Sequence, residues 1–215
     1  MATWIAHLRV AEHVLKFIDL DRELFLVGNL APDCNRANED WSAFTPDAKI
    51  THFRRVGTKT EPDLFLDAHF QAKDDVKKKS FLLGYYAHLL TDNMWGDMIR
   101  TWKEENPHIK EKMEADKSYI WTIKKDWYGQ DFKYLRENKA NVFVNEFLGS
   151  NPVRGYLEFF PADIMNEKLA YIKDFYTSPE KEIHMTEYKY LTSQQMDTFV
   201  DSCSRALLNK IANMI

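Results

Sequence analysis

Between Asp75 and Glu105 the chain carries no proline, and from Phe81 to Trp95 it is almost continuously apolar: Phe81-Leu82-Leu83-Gly84-Tyr85-Tyr86-Ala87-His88-Leu89-Leu90-Thr91-Asp92-Asn93-Met94-Trp95. A run of that length without turn chemistry reads as helix, and a helix apolar all round has to be surrounded by other helices. Within it, the spacing of His88 and Asp92 stacks an imidazole above a carboxylate on one face. Burying both is costly unless they pair, coordinate a metal or bond to a fixed group. The sequence therefore predicts an all-α, single-domain multi-helix bundle around a central buried helix over about residues 75–105, with polar chemistry carried into the core by that helix.

The flanking segments supply the rest of the bundle. Thr3 suits the N-cap of a first helix running to about Ile18, with Trp4, Leu8, Ala11, Leu15 and Ile18 as its apolar stripe and His7 beside it. Asp21 caps a second, shorter helix through Val27, which Gly28-Asn29 and Pro32 are expected to end. Asp33 to Thr60 reads as a long polar loop holding His52; loops of that length inside a compact domain are usually functional. Helix resumes at Glu61-Pro62. Beyond a stop at Asn106-Pro107, helical patterns cover about residues 108–126, 131–148 and 162–176, with breaks at Tyr128-Gly129, at residues 149–152 and at Pro161. The last helix opens on a capping box of Thr192 and Gln195, and Met196, Phe199, Val200, Cys203, Leu207 and Ile211 share one face. No repeat and no convincing strand alternation occurs.

A formal charge of −4 over 215 residues leaves no polyanion-binding footprint, so duplex nucleic acid is not an expected partner; Lys77-Lys78-Lys79 reads as a solvated helix face. The opening Met-Ala-Thr-Trp-Ile-Ala-His lacks the basic and apolar segments of an export signal. No apolar run approaches the roughly 18–20 residues needed to span a bilayer. The two cysteines, Cys34 and Cys203, do not make a disulfide scaffold, and Cys34 reads as a buried bystander thiol. These features together point to a cytoplasmic protein without a transmembrane segment.

The chemistry rests on histidine and aspartate, because no nucleophile elbow, phosphate-cradling glycine loop, dinucleotide fingerprint or cysteine-pair zinc ribbon is present. His7, His52 and His88 lie on or near apolar segments, with Asp33 after Pro32 and Asp92 one turn beyond His88. Imidazole nitrogen and carboxylate oxygen form a mixed ligand set that zinc prefers and that iron or manganese accepts. Without a metal, His88 and Asp92 would be an internal ion pair, and His7 and His52 ordinary hydrogen-bonded histidines.

Gly28-Asn29-Leu30-Ala31-Pro32-Asp33, then Thr51-His52-Phe53, then Gly84-Tyr85-Tyr86-Ala87-His88-Leu89-Leu90-Thr91-Asp92, with His7 in Trp4-Ile5-Ala6-His7-Leu8, resemble the motifs of the zinc-dependent phospholipase C-like superfamily, which also takes in zinc-dependent single-strand nucleases. The likeness covers roughly the first hundred residues. It implies that Asp33, His52, His88 and Asp92 hold one metal, that His7 binds a neighbouring one, and that Asp92 bridges the two. It further implies attack of metal-activated water on phosphorus, with Asp33 as a general base. The chain departs from the superfamily's pattern in three respects: Trp4 is internal, no further histidine soon follows Asp92, and His108 is followed four residues later by Lys112. The expectation is accordingly one or two zinc ions, or iron or manganese, with Asp97 as an outside candidate for an extra ligand.

These readings converge on a metal-dependent hydrolase acting on a phosphodiester or phosphomonoester of a small soluble molecule, rather than on glycerophospholipid. The rival reading is a non-catalytic helical protein that binds a metal or ligand without turning it over. A catalytic metal keeps an open coordination position, whereas a structural one is closed by protein ligands.

Overall fold

The computed structural model describes every residue except Trp41, Asn213 and Ile215. It is an all-α bundle arranged around one long helix. In chain order the helices are α1 (Trp4–Val14), α2 (Arg22–Leu30), α3 (Ala48–Thr51), α4 (Pro62–His69), α5 (Val76–Glu105), α6 (Pro107–Ala115), α7 (Tyr119–Glu137), α8 (Ala162–Thr177) and α9 (Ser193–Ile211). Short 3-10 turns at Ala31–Asp33 and Pro179–Lys181 and a π-helical turn at Phe143–Phe147 complete the helical elements, and strands β1 (Arg36–Ala37) and β2 (Phe44–Thr45) form a minimal antiparallel ladder. Among the described residues no helix is long and apolar enough to cross a membrane.

The caps fall where residue chemistry places them. Thr3, Asp21 and Asp75 accept from the main-chain N–H of Ala6, Leu24 and Lys78, and Thr192 with Gln195 forms both arms of the capping box. α5 is buried continuously from Ser80 to Leu89, as its all-round apolar character requires. Its middle is closed by Trp95, which meets Trp127 of α7 and Phe199 of α9 edge-on at ring centroids of 5.1 and 5.0 Å.

Two glycines set the spacing of the central pair. A Cβ on Gly28 of α2 would stand 2.1 Å from the Phe81 carbonyl oxygen of α5, and one on Gly84 of α5 would stand 2.1 Å from that of Phe25 on α2. The helices are thus in backbone contact, which any side chain at either position would prevent. For that reason Gly28-Asn29 does not end α2: the glycine serves helix contact, and the helix runs on to Leu30 before tightening into the 3-10 turn that carries Pro32 and Asp33.

Other boundaries also differ from expectation. α1 stops at Val14 rather than near Ile18, because the chain tightens there, with Lys16 and Phe17 donating to His13 and Val14. The pattern over residues 108–126 divides into α6 and α7, and α7 passes through Tyr128-Gly129 without a break. Gly129 instead makes room for Met185 and Tyr188, whose hydroxyl donates to the Gly129 carbonyl at 3.1 Å. The segment expected as helix over 131–148 ends at Glu137; the polar stretch after it turns, and only the π-helical turn at Phe143–Phe147 follows.

Candidate metal centre

Four separate pieces of chain deliver the five candidate ligands to one buried point. α1 brings His7, the 3-10 turn after α2 brings Asp33, the residue capping α3 is His52, and α5 brings His88 and Asp92 one turn apart. All five side chains are buried. The His52 Nε2 atom lies 3.2 Å from Asp33 Oδ1 and 3.6 Å from Asp92 Oδ2, while His88 Nε2 lies 3.9 and 3.7 Å from the same two oxygens. His7 Nε2 is 3.5 Å from the other oxygen of Asp92, Oδ1.

These contacts have ion-pair separations without hydrogen-bond geometry. Both ring nitrogens of His7, Asp33 Oδ1, His52 Nε2, His88 Nε2 and Asp92 Oδ2 are buried with no hydrogen-bond partner among the described residues. Lone pairs left unpaired in a core are expensive, so a cluster of them on one point demands a further partner. Metal–ligand bonds of about 2.0–2.2 Å in a tetrahedron would set neighbouring donors about 3.3–3.6 Å apart. Asp33 Oδ1 and Asp92 Oδ2 each lie 3.2–3.9 Å from the His52 and His88 Nε2 atoms, near that spacing, and the donor chemistry fits a zinc-like ion. Two overlapping triads meet the proximity needed for a metal: Asp33, His52 and His88; and His7, His88 and Asp92.

Outer contacts fix the orientation of each group. His88 Nδ1 faces the Asn29 carbonyl at 2.8 Å; since a carbonyl only accepts, that nitrogen bears the proton and Nε2 presents its lone pair inward. His52 Nδ1 contacts Thr51 Oγ1 at 3.0 Å, and Tyr85 donates its hydroxyl to the Thr51 carbonyl. The Trp4 indole donates to Asp33 Oδ2 at 3.0 Å, and the Ala2 main-chain N–H donates to Asp92 Oδ1 at 2.9 Å. The His7 and His88 rings stack in parallel, with centroids 3.9 Å apart and planes within 5°.

The charge states suit ligation. Burial works to protonate Asp33, but the imidazoles of His52 and His88 outweigh it and hold its carboxyl at about 2. Burial acts likewise on Asp92, which His7 and His88 hold well below the ordinary carboxylate range. His88 is pushed down to about 3 by burial and by the neighbouring His7 ring, so it is neutral at physiological pH. Ionised carboxylates beside a neutral imidazole are the ligand forms that metals require.

Phe53, directly after His52, has φ of 47°, a left-handed conformation that bulky residues rarely adopt. On either side of it, His52 and Arg54 reach the same Asp92 Oδ2, the Arg54 guanidinium at 3.8 Å. Arg54 was not legible as a site residue from the sequence; its only signal is its position two residues beyond His52. Asp97 is not brought to the centre: its side chain is exposed and pairs with Arg100 at 2.7 Å. Five residues past Asp92 on a helix, it is turned about 140° away. His69 packs among Phe53, Phe65 and Phe159, outside the ligand set, and Cys34 is buried with its thiol donating to the Leu30 carbonyl at 3.3 Å.

A cleft of about 130 Å³ reaches Asp33 from the surface, with Trp4, Lys124, Tyr128 and Lys168 on its walls. Of the five candidate ligands, Asp33 alone lines it. The family described as zinc dependent phospholipase C matches the chain over residues 6–125. No curated protein and no solved structure gives a significant match.

Proposed function

The chain belongs to the zinc-dependent phospholipase C family, and from that premise we propose that it is a metal-dependent hydrolase cleaving a phosphate ester of a small soluble molecule. Asp33, His52, His88 and Asp92 would hold one zinc ion; His7, with the second oxygen of Asp92, would hold a neighbouring one. Zinc bound there would lower the pKa of a coordinated water and polarise a phosphoryl oxygen. Asn29 and Thr51 keep the imidazoles aimed, and the Trp4 indole keeps the Asp33 carboxylate in place. Asp33, at the cleft, is placed to accept a proton from water; held at about 2, it would pass that proton on rather than retain it.

The observation that carries this reading is the meeting of unpaired buried donor atoms with a cleft lined by Asp33, which carries one of them. A purely structural metal would be closed by its ligands and need no such opening. The modest size of the cleft suits a phosphoryl group with a small substituent better than the body of a lipid. Elemental analysis of the purified protein, followed by a screen of soluble phosphate esters on the metal-loaded form, tests the proposal. One or two equivalents of zinc with turnover are expected; zinc without turnover of any ester would favour the binding role, and no metal after reconstitution would remove the site.

A further inference from the structure

The walls of the cleft carry two lysines from helices that contribute no candidate ligand. Lys124 lies on α7 and Lys168 on α8, and both line the cleft with Asp33. Among the described residues neither forms an ion pair with a carboxylate. Their contacts are with rings: Lys168 Nζ lies 5.4 Å from the Trp4 ring centroid and 4.6 Å from that of Tyr171, and Lys124 Nζ lies 4.8 Å from that of Trp121. Neighbouring cations behave differently, since Arg36 pairs with Glu167 and Lys181 with Asp174. Both cleft lysines are half-buried, and a partly desolvated ammonium without a counter-ion favours an incoming anion.

The charge balance of the centre points the same way. Asp33 and Asp92 together offset a single divalent ion, which leaves Lys124 and Lys168 in excess on the cleft walls. An ester with one negative charge would leave half of this excess unmet, and a cationic headgroup would be repelled by it. Resting on the hydrolase reading above, we infer that Lys124 and Lys168 form an anion subsite at the mouth of the centre that selects a phosphomonoester dianion over a phosphodiester monoanion. The rings of Trp4, Trp121 and Tyr171 hold the two stems and limit the freedom each lysine loses on binding.

The test uses Lys124→Gln and Lys168→Gln, singly and together, on the full chain reconstituted with zinc, with metal per chain counted first. Calorimetry at about pH 8, above the second phosphate pKa near 6, then compares phenyl phosphate, a dianion, with dimethyl phosphate, a monoanion. The double variant is expected to keep its zinc and to lose about tenfold in dianion affinity per lysine, with the dianion-to-monoanion preference falling at least tenfold. Lys124→Arg, which keeps the charge, should retain most of the preference. Zinc-loaded protein in which that ratio is unchanged overturns the anion subsite and leaves the hydrolase reading standing. Protein that takes up no zinc overturns both.

Discussion

The Nδ1–H of His88 on the central helix α5 donates to the main-chain carbonyl of Asn29 on α2, across 2.8 Å. Because the acceptor is backbone, no rotamer change at Asn29 can release it, and the fully buried His88 ring keeps Nε2 inward as long as the two helices keep their spacing. That spacing depends on Gly28 and Gly84, which lie within one turn of Asn29 and His88 respectively. Helix packing and the orientation of the His88 ring are therefore one structural fact.

His88→Ala and Asp92→Ala should each abolish stoichiometric zinc binding while far-ultraviolet circular dichroism stays helical. His88 belongs to both triads and Asp92 to both proposed metal positions, so the loss should exceed that from His7→Ala, which leaves the Asp33–His52–His88 triad intact. Plasma mass spectrometry after dialysis against zinc measures the difference. Retention of full zinc by either α5 variant would show that this helix does not frame the centre.

Trp4→Phe keeps an aromatic ring against Tyr171, Phe175 and Tyr176 but deletes the indole donor to Asp33 Oδ2. Loss of such an orienting bond typically costs about tenfold to a hundredfold in metal affinity. A competition titration with a chromogenic chelator should show weaker zinc binding, with the thermal midpoint of the metal-free protein moved far less than the affinity.

Gly28→Ala and Gly84→Ala each drive a methyl group to 2.1 Å from a backbone oxygen, which a rotamer change cannot relieve. Each should destabilise by about 3 kcal/mol or more, seen as a fall in the denaturation midpoint. Gly96, also inside α5, has open space around its Cβ position, so Gly96→Ala should stabilise by about 1 kcal/mol. Opposite signs from the same substitution in one helix would set contact against propensity.

Asp131 on α7 is buried; burial pushes its carboxyl up to about 7, despite hydrogen bonds donated by the hydroxyls of Tyr176 and Thr3. Above the unfolded pKa of an aspartate, near 3.9, the unfolded chain releases this proton while the folded one keeps it. The group's contribution to stability therefore declines as pH rises from about 4 to 7 and is level above that. Asp131→Asn lacks the titration, so its stability relative to the parent should improve by on the order of 3 kcal/mol between pH 4 and 8. Chemical denaturation of both proteins at the two pH values, each chelated, gives the comparison. A constant difference would show that Asp131 ionises normally in the fold.

The helix starts were written locally. Thr3, Asp21, Asp75 and the Thr192–Gln195 box act within three residues of themselves, so sequence alone places them. The central helix and the shared face of His88 and Asp92 were equally legible, because burial pattern and helical period are local properties. The motifs around Asp33, His52, His88 and His7 were legible as a set, and the structure brings all of them to one point.

Tertiary structure decided what depends on residues far apart in the chain. Gly28 and Gly129 look like punctuation in sequence, yet both sit within helices, where the missing Cβ admits a backbone or a loop from elsewhere. Asp97 has a ligand's chemistry and the wrong angle around α5, whereas Arg54 reaches Asp92 only because the chain turns sharply at Phe53. Lys124 and Lys168 stand 91 and 135 residues beyond Asp33 in the chain and carry no motif; only the packing of α7 and α8 over α1 brings their charge to the opening beside Asp33. Local preference is set by a side chain and its near neighbours, but a site's charge and access are set by which surfaces the fold brings together.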